Sequence, residues 1–341
     1  MTYKKIIQEN CRNHSTVDWW PLHAFHYTDV ENAVNILATG YLYSRVEADR
    51  LNLMKNDNAS RQVIDMTRSS VTSCVRFYYR PLTPTQYHNE GYKHPEARFH
   101  GDLNANVPVP VFFVFDLEKL LCLDKTFFSE MSQAGIGARL CNTPEEFSMF
   151  NFDEIYRNGY MENPDMEKKF RQAEILYMDS FPIDCCLQTI YCRNAIERMT
   201  LLNLLRSKDS KKFLVYKDKI KICRQNMFEN NGLFVVDCRY YDGRASIVYS
   251  DTYEKRRYMN RYKNVPKLRD LNARAEFDWM KSGKLLNRQH SVFSINYENA
   301  NMTTFQGLIE EKGASALYMK FYIEDKLMCF MSQQLSEAAL F

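Results

Sequence analysis

Apolar positions change period several times along the chain, and each change marks an element. Val30, Ala33, Val34 and Leu37 recur at helical spacing behind Thr28-x-x-Glu31, a capping-box pattern, and Gly40 follows as a stop. A short extended segment, 22–28, leads into that helix, whereas 44–73 is polar and reads as a long loop with a helical piece around 58–68. Residues 75–79 read as a strand closed by Arg80-Pro81, and the unbroken apolar run 108–115 as a buried one. Residues 127–165 look loop-like, with one helical piece at 144–157 capped by Thr143. A strand is expected over 168–177, another over 185–190, and a helix over 193–206 capped by Asn194. Beyond Asp209-Ser210-Lys211-Lys212 the pattern turns to strands at 232–241 and 245–250 around Gly243. A basic helix at 252–269 and apolar segments at 291–295 and 315–323 complete it. The alternation predicts an α+β protein of two domains, 1–210 and a smaller 211–341.

Composition narrows the class. A chain of 341 residues, 45% hydrophobic and 26% charged, can bury a core without staples and is not disordered. Its 45 basic and 42 acidic residues leave a net charge of +3, so any nucleic-acid contact must come from local patches. The 22 Tyr, 22 Phe and 3 Trp supply rings for a core and equally for stacking on bases. None of the ten cysteines forms a Cys-x-x-Cys pair, so a zinc site is not expected and reduced thiols are. The start, MTYKKIIQEN, lacks the apolar stretch of a signal peptide, and PVPVFFVF is too short to span a bilayer. A cytoplasmic protein without a membrane segment is the expectation.

Three separated segments carry candidate chemistry. In Phe25-His26-Tyr27-Thr28, His26 and Thr28 project from one strand face and can hydrogen-bond a ribose or an amide. The plain alternative is a structural histidine. FYYRPLTPTQY, at 77–87, makes a stiff turn carrying aromatic and basic groups, where a ring could stack on a flat cation such as nicotinamide. Its alternative is a strand end with a buried tyrosine. On a strand, Gln172 and Glu174 would share a face, and a carboxylate beside an amide can orient a hydroxyl or take a proton. Here the alternative is a glutamate facing solvent. Further on, Lys255, Arg256, Arg257, Arg261, Lys263, Lys267 and Arg269 alternate with Tyr253, Tyr258 and Tyr262. That mixture suits a single-strand groove, and equally a solvated helix whose tyrosines pack inward, or a surface that docks a partner protein.

Taken together and in this order, His-x-Thr before a capped helix, FYxxPxxPxxY and Gln-Ala-Glu resemble the DarT family. These are NAD-dependent ADP-ribosyltransferases that modify bases in single-stranded DNA, toxins of bacterial toxin–antitoxin and anti-phage systems. The resemblance covers roughly 20–206 and is most specific in NPDMEKKFRQAEIL and FPIDCCLQTI. It implies an ADP-ribosyltransferase-like fold, two small sheets flanking an NAD cleft, with an additional C-terminal α+β module. It implies Glu174 as catalytic residue and His26, Thr28, Asn32, Gly40, Tyr78 and Tyr79 around the NAD. Gln172 and Tyr87 would lie on the substrate side, with a substrate loop at about 127–155; outside the resemblance, the basic, tyrosine-bearing helix offers Arg256, Arg257 and Tyr258 as further substrate contacts. For the arginine that holds the cofactor's phosphates, Arg61, Arg68 and Arg76 compete, with Arg45 and Arg50 upstream, and Arg68 is favoured.

Thr-Pro-Thr-Gln-Tyr departs from the Met and Leu that many members carry there, which leaves the base open. NAD is the implied co-substrate, with no metal. The implied partners are single-stranded DNA and an antitoxin protein that blocks the cleft or removes ADP-ribose, with or without a chaperone. Two alternatives stand beside this reading. One is the same chemistry on RNA, since the cleft is indifferent to the 2′-hydroxyl unless something reads it. The other is a non-catalytic nucleic-acid-binding module on a degenerate scaffold, against which Glu174, His26 and Thr28 argue together.

Overall fold

The longest apolar run becomes an inner strand of a seven-stranded sheet. The computed structural model describes residues 1–56, 69–98, 106–133, 138–262 and 268–335. In the first module the strands are β1 His23–Asp29, β2 Tyr41–Leu42, β3 Cys74–Tyr78, β4 Pro110–Asp116 and β5 Thr126–Ser129. They continue with β6 Glu174–Met178, β7 Phe181–Pro182, β8 Leu187–Cys192 and β9 Ile220–Ile222. Seven of them form one sheet in the order β5-β6-β3-β1-β4-β8-β9, while β2 pairs with β7. Apart from Asp116, β4 is buried along its whole length, as expected of a strand covered on both faces.

Helix α1 (Tyr3–Asn13) and helix α2 (Val30–Thr39) flank this sheet. Asp29 caps α2, its carboxylate accepting from the Glu31 N–H at 3.0 Å, one residue later than the expected Thr28. Gly40 ends α2 at φ +79°, a left-handed conformation that favours glycine. Ser44 then caps a short helix α3, Arg45–Arg50, within the polar stretch, and the piece expected around 58–68 lies outside the described residues.

The stretch 127–165 holds more structure than its polarity suggests. It includes most of β5 and two separate helices, Pro144–Phe147 and Phe152–Tyr156, because Asn151 starts a new cap. Thr143 caps the first of these, as its spacing to Glu146 predicts. The strand expected from 168 starts at Glu174, since Pro164 opens a helix that runs to Phe170. The helix Ala195–Lys208 is capped by Asn194 as expected.

The polar cluster at 209–212 is a junction inside the first module. Asp209 closes one helix and caps the next, Ser210–Tyr216, and β9 then joins the first sheet. Tyr216, Ile220, Met227 and Phe228 belong to the first core, whereas Leu233 and Val235 belong to the second. The expected division at 210 therefore falls short of the change of core by about one helix and one strand.

The second module contains β10 Val235–Tyr241, β11 Arg244–Tyr249, β12 Leu271–Lys281, β13 Lys284–Ile295, β14 Met302–Phe305, β15 Ala316–Ile323 and β16 Lys326–Gln334. They form sheets β10-β11-β14 and β13-β12-β15-β16 around a core that also takes Tyr92 and Ile196 from the first module. The basic helix runs only over Tyr253–Met259, with a 3-10 turn at Asn260–Tyr262 and residues 263–267 outside the described ones. Among the described residues no helix is long and apolar enough to cross a membrane.

Candidate active site

Strand alternation decides which residues of β3 can do chemistry. Val75, Phe77 and Tyr79 are buried in the first core, while Arg76 and Tyr78 turn the other way and line a cleft. Beside them stand His26 and Thr28 of β1, the strand next to β3, and the cleft is completed by Asn32 and Asn35 of α2 and by the segment that includes Arg45 and Asn56.

The His26 ring is fixed in one tautomer. Its Nδ1 lies 3.0 Å from the Arg76 carbonyl oxygen, which can only accept, so Nδ1 carries the proton. Burial lowers the imidazole pKa, leaving a neutral ring whose Nε2 is a hydrogen-bond acceptor. Asn32 is committed to holding the cleft wall. Its Nδ2 donates to the Asn56 carbonyl at 2.6 Å, and its Oδ1 accepts from the N–H groups of Lys55 at 2.7 Å and Asn56 at 3.2 Å.

Glu174 opens β6 and is 2% exposed. Its Oε1 accepts from Ser132 Oγ at 3.4 Å, and its Oε2 stands 3.9 Å from Arg76 Nε. Burial raises its pKa, opposed by the Arg76 charge and by hydrogen bonds from the Gln133 backbone and Ser132. Tyr78 sits directly opposite Glu174 in the ladder, and its phenol is pushed up to about 12 by burial and by the Glu174 charge. The result is a buried carboxylate, itself not among the cleft-lining residues, held beside a guanidinium and a phenol that line the cleft together with the neutral His26.

Other expected residues lie elsewhere. Tyr79 is fully buried, stacked on Phe147 with ring centroids 6.0 Å apart, because the strand's alternation turns it away from Tyr78. Gly40 is not among the cleft residues; its place is the left-handed stop of α2. Gln172 lies in the turn before β6 and shares no strand face with Glu174; its Nε2 donates to Thr85 Oγ1 at 2.7 Å. Tyr87, on the helix Pro84–Asn89, packs its ring against Tyr258 at 5.6 Å, beneath the Arg261 guanidinium at 4.8 Å.

Tyr258 is buried, its hydroxyl donating to the Ala97 carbonyl at 3.1 Å, so it has no free face for a base. Arg256 and Arg257 are exposed, and Arg256 pairs with Asp251. Arg68 and Arg61 lie outside the described residues; Arg76 and Arg45 line the cleft. Sequence reasoning passed over Ser132, Gln133 and Asn56, which sit in irregular segments without a periodic signal. Arg45 follows Ser44-x-x-Glu47, a cap pattern that could have placed it at a helix start. Among the described residues no group of three or more His, Cys, Asp or Glu is placed to hold a metal ion.

A family model described as DarT, ssDNA thymidine ADP-ribosyltransferase, matches residues 25–226, well over half of the chain and including every one of these cleft residues. The chain belongs to the DarT family. Of the curated proteins compared with it, none matches. The structure of Thermus sp. 2.9 DarT in complex with ADP-ribosylated ssDNA is similar at a TM-score of 0.50 and 17% identity, covering 61% of this chain and 96% of that one. The same Thermus DarT in complex with NAD+ gives 0.46 and 18%, covering 61% and 98%. Thermosipho africanus DarTG in complex with ADP-ribose gives 0.45 and 15%, covering 61% and 51%. The first of these likenesses supports the DarT fold, and the second module lies beyond the family match. As a member of the DarT family, the protein is an ADP-ribosyltransferase.

Proposed function

We propose that this protein binds NAD in the cleft between β1, β3 and α2 and transfers its ADP-ribose to a thymine in single-stranded DNA. The observation that carries the reading is Glu174: a buried carboxylate on a sheet strand, beside Arg76 and across from Tyr78, two residues that line the cleft.

The bond from the ribose carbon to nicotinamide breaks with its electron pair going to the ring, so nicotinamide leaves neutral. The positive charge that develops on the ribose is stabilised by the Glu174 carboxylate. A ring nitrogen of the base then bonds to that carbon and gives up its proton to Glu174. Neutral His26 accepts a hydrogen bond from a ribose hydroxyl through Nε2, with Thr28 beside it. Tyr78 packs on the nicotinamide, and Arg76 and Arg45 supply positive charge for the diphosphate, joined by Arg68. A single strand suits this chemistry because its bases need not be unstacked first. Gln172 and Tyr87 flank the acceptor side, and the exposed Arg256 and Arg257 attract phosphates farther along the strand.

In a cell this activity would arrest growth and call for a neutralising partner that blocks the cleft or removes the modification. The test is incubation with labelled NAD and, in parallel, single-stranded DNA, single-stranded RNA and a protein extract, alongside Glu174→Gln. Label on DNA that the variant loses supports the proposal. Label on RNA alone replaces the acceptor, and label on neither overturns the transfer to nucleic acid.

A further inference from the structure

Asn56, in the cleft wall, is held by the far module. Its Oδ1 accepts from the Nζ of Lys326, the first residue of β16, at 2.9 Å and across 270 positions of sequence. Its Nδ2 donates to the Asn106 carbonyl at 2.6 Å, and both its backbone groups are held by Asn32, through Nδ2 to its carbonyl at 2.6 Å and through Oδ1 from its N–H at 3.2 Å. Asn56 is thus a four-bond node joining α2, the approach to β4 and the second module, and it lines the cleft together with Asn32.

The hairpin that presents Lys326 is built to a fixed geometry. Glu324 and Asp325 connect β15 to β16 with φ of +46° and +63°, a two-residue turn of the kind glycine and asparagine normally supply. Non-glycine residues hold such angles only where the surroundings enforce them. Here the Glu324 carboxylate accepts from Arg269 Nη1 at 2.9 Å and from the Asn272 N–H at 3.1 Å. The hairpin therefore delivers Lys326 to Asn56 as part of a braced sheet edge. The Lys326 charge also acts on the carboxylate of Asp29, the residue that caps α2.

We propose that the second module is a structural part of the donor site and that Lys326 is a positioning residue for NAD, acting through Asn56 and Asn32. The proposal rests on the reading of this cleft as the NAD site. A segment already ordered before the ligand arrives loses less freedom on binding, so the brace appears as donor affinity, with little effect on the chemical step. The 61% of this chain that aligns with Thermus DarT covers 96% of that protein. A brace from the second module is thus an addition to the matched fold.

The test compares full-length wild type with Lys326→Ala, Lys326→Arg and Asn56→Ala. Steady-state transfer to single-stranded DNA is measured at varied NAD, with hydrogen exchange over 51–56 in the ligand-free proteins. Lys326→Ala should raise KM for NAD about tenfold, leave kcat and KM for DNA within twofold, and speed exchange over 51–56. Arginine, which can still donate to Asn56, should restore most of the affinity. Combining Lys326→Ala with Asn56→Ala should cost little more than Asn56→Ala alone. An unchanged KM for NAD in a folded Lys326→Ala, or a rise confined to DNA, overturns the proposal. If wild type does not use NAD, the donor-site reading fails instead, and faster exchange in Lys326→Ala would still establish the brace.

Discussion

Glu174 and Tyr78 face each other across the β3–β6 ladder, and Arg76, two residues before Tyr78, brings its Nε within 3.9 Å of the Glu174 carboxylate. Three side chains from two hydrogen-bonded strands thus meet with little freedom to move apart. Glu174→Gln keeps the shape of the side chain and its hydrogen-bonding oxygen but removes the charge and the proton acceptor. Transfer should fall by about 10²–10⁴-fold with NAD binding and melting temperature retained, measured by labelled-product formation, calorimetric titration and thermal denaturation. Retained transfer would remove Glu174 from the mechanism.

The same neighbours set the pH response. Burial raises the Glu174 pKa and the Arg76 charge lowers it. Acting as a base, the carboxylate must be ionised, so kcat/KM should rise with pH through a limb displaced upward from the ordinary glutamate range. Replacing Arg76 with Met removes the opposing charge and should move that limb to higher pH. A limb that stays in place in Arg76→Met would show that another group titrates there.

How much of this was legible in the sequence follows from where each signal lies. His26, Thr28 and Glu174 stand in segments with a readable local pattern, each with a plain structural alternative, and it was their order along the chain and the family resemblance it carries that singled them out. Tyr78 and Tyr79 could not be separated by composition, because only the strand's register tells which of two adjacent rings faces the cleft. Gln172 was misread because Pro164 opens a helix where a strand was expected to begin. Ser132, Gln133 and Asn56 lie in irregular backbone, and their roles come from contacts across 42 to 270 positions that no local period encodes. The basic helix kept its charge pattern, but Lys255 and Tyr258 turn inward and are buried, which composition alone could not show.

Strand register gives a paired test. The Tyr79 hydroxyl is buried with no hydrogen-bond partner among the described residues, so Tyr79→Phe should leave transfer unchanged and stability equal or higher by about 1 kcal/mol in urea denaturation. Tyr78→Phe removes a hydroxyl on the cleft side that interacts with Arg76, and should raise KM for NAD at unchanged stability. The reverse result would place β3 in the opposite register.

The modules also meet through backbone. Gly232 packs so tightly on the turn at Gly91 that an added Cβ would lie 2.6 Å from the Glu90 carbonyl oxygen and 2.8 Å from Gly91 Cα. Both neighbours are backbone and cannot rotate away. Gly232→Ala should therefore cost about 1–3 kcal/mol, read as a lower urea midpoint. An unchanged midpoint would mean that the two segments separate without cost.

Asp29 couples the stability of α2 to pH. Its carboxyl is pushed up to about 7, chiefly by burial and also by Glu31, against the hydrogen bond from the Glu31 N–H and the Lys326 charge. In the unfolded chain the same carboxyl titrates near 4. Between about pH 4 and 7 the folded protein therefore holds a proton that the unfolded chain has lost, so this group's contribution to stability falls as pH rises. Asn in its place keeps the cap, since its Oδ1 still accepts from the Glu31 N–H, and it carries no titrating charge. Asp29→Asn and wild type should melt together below pH 4. The variant should become more stable as pH rises, by an amount on the order of 1–3 kcal/mol at pH 8. Other buried carboxylates, Glu197 and Glu229 among them, titrate alike in both proteins and cancel in the difference. Parallel melting curves from pH 4 to 8 would show that the Asp29 carboxyl keeps its ordinary pKa, held down by Lys326.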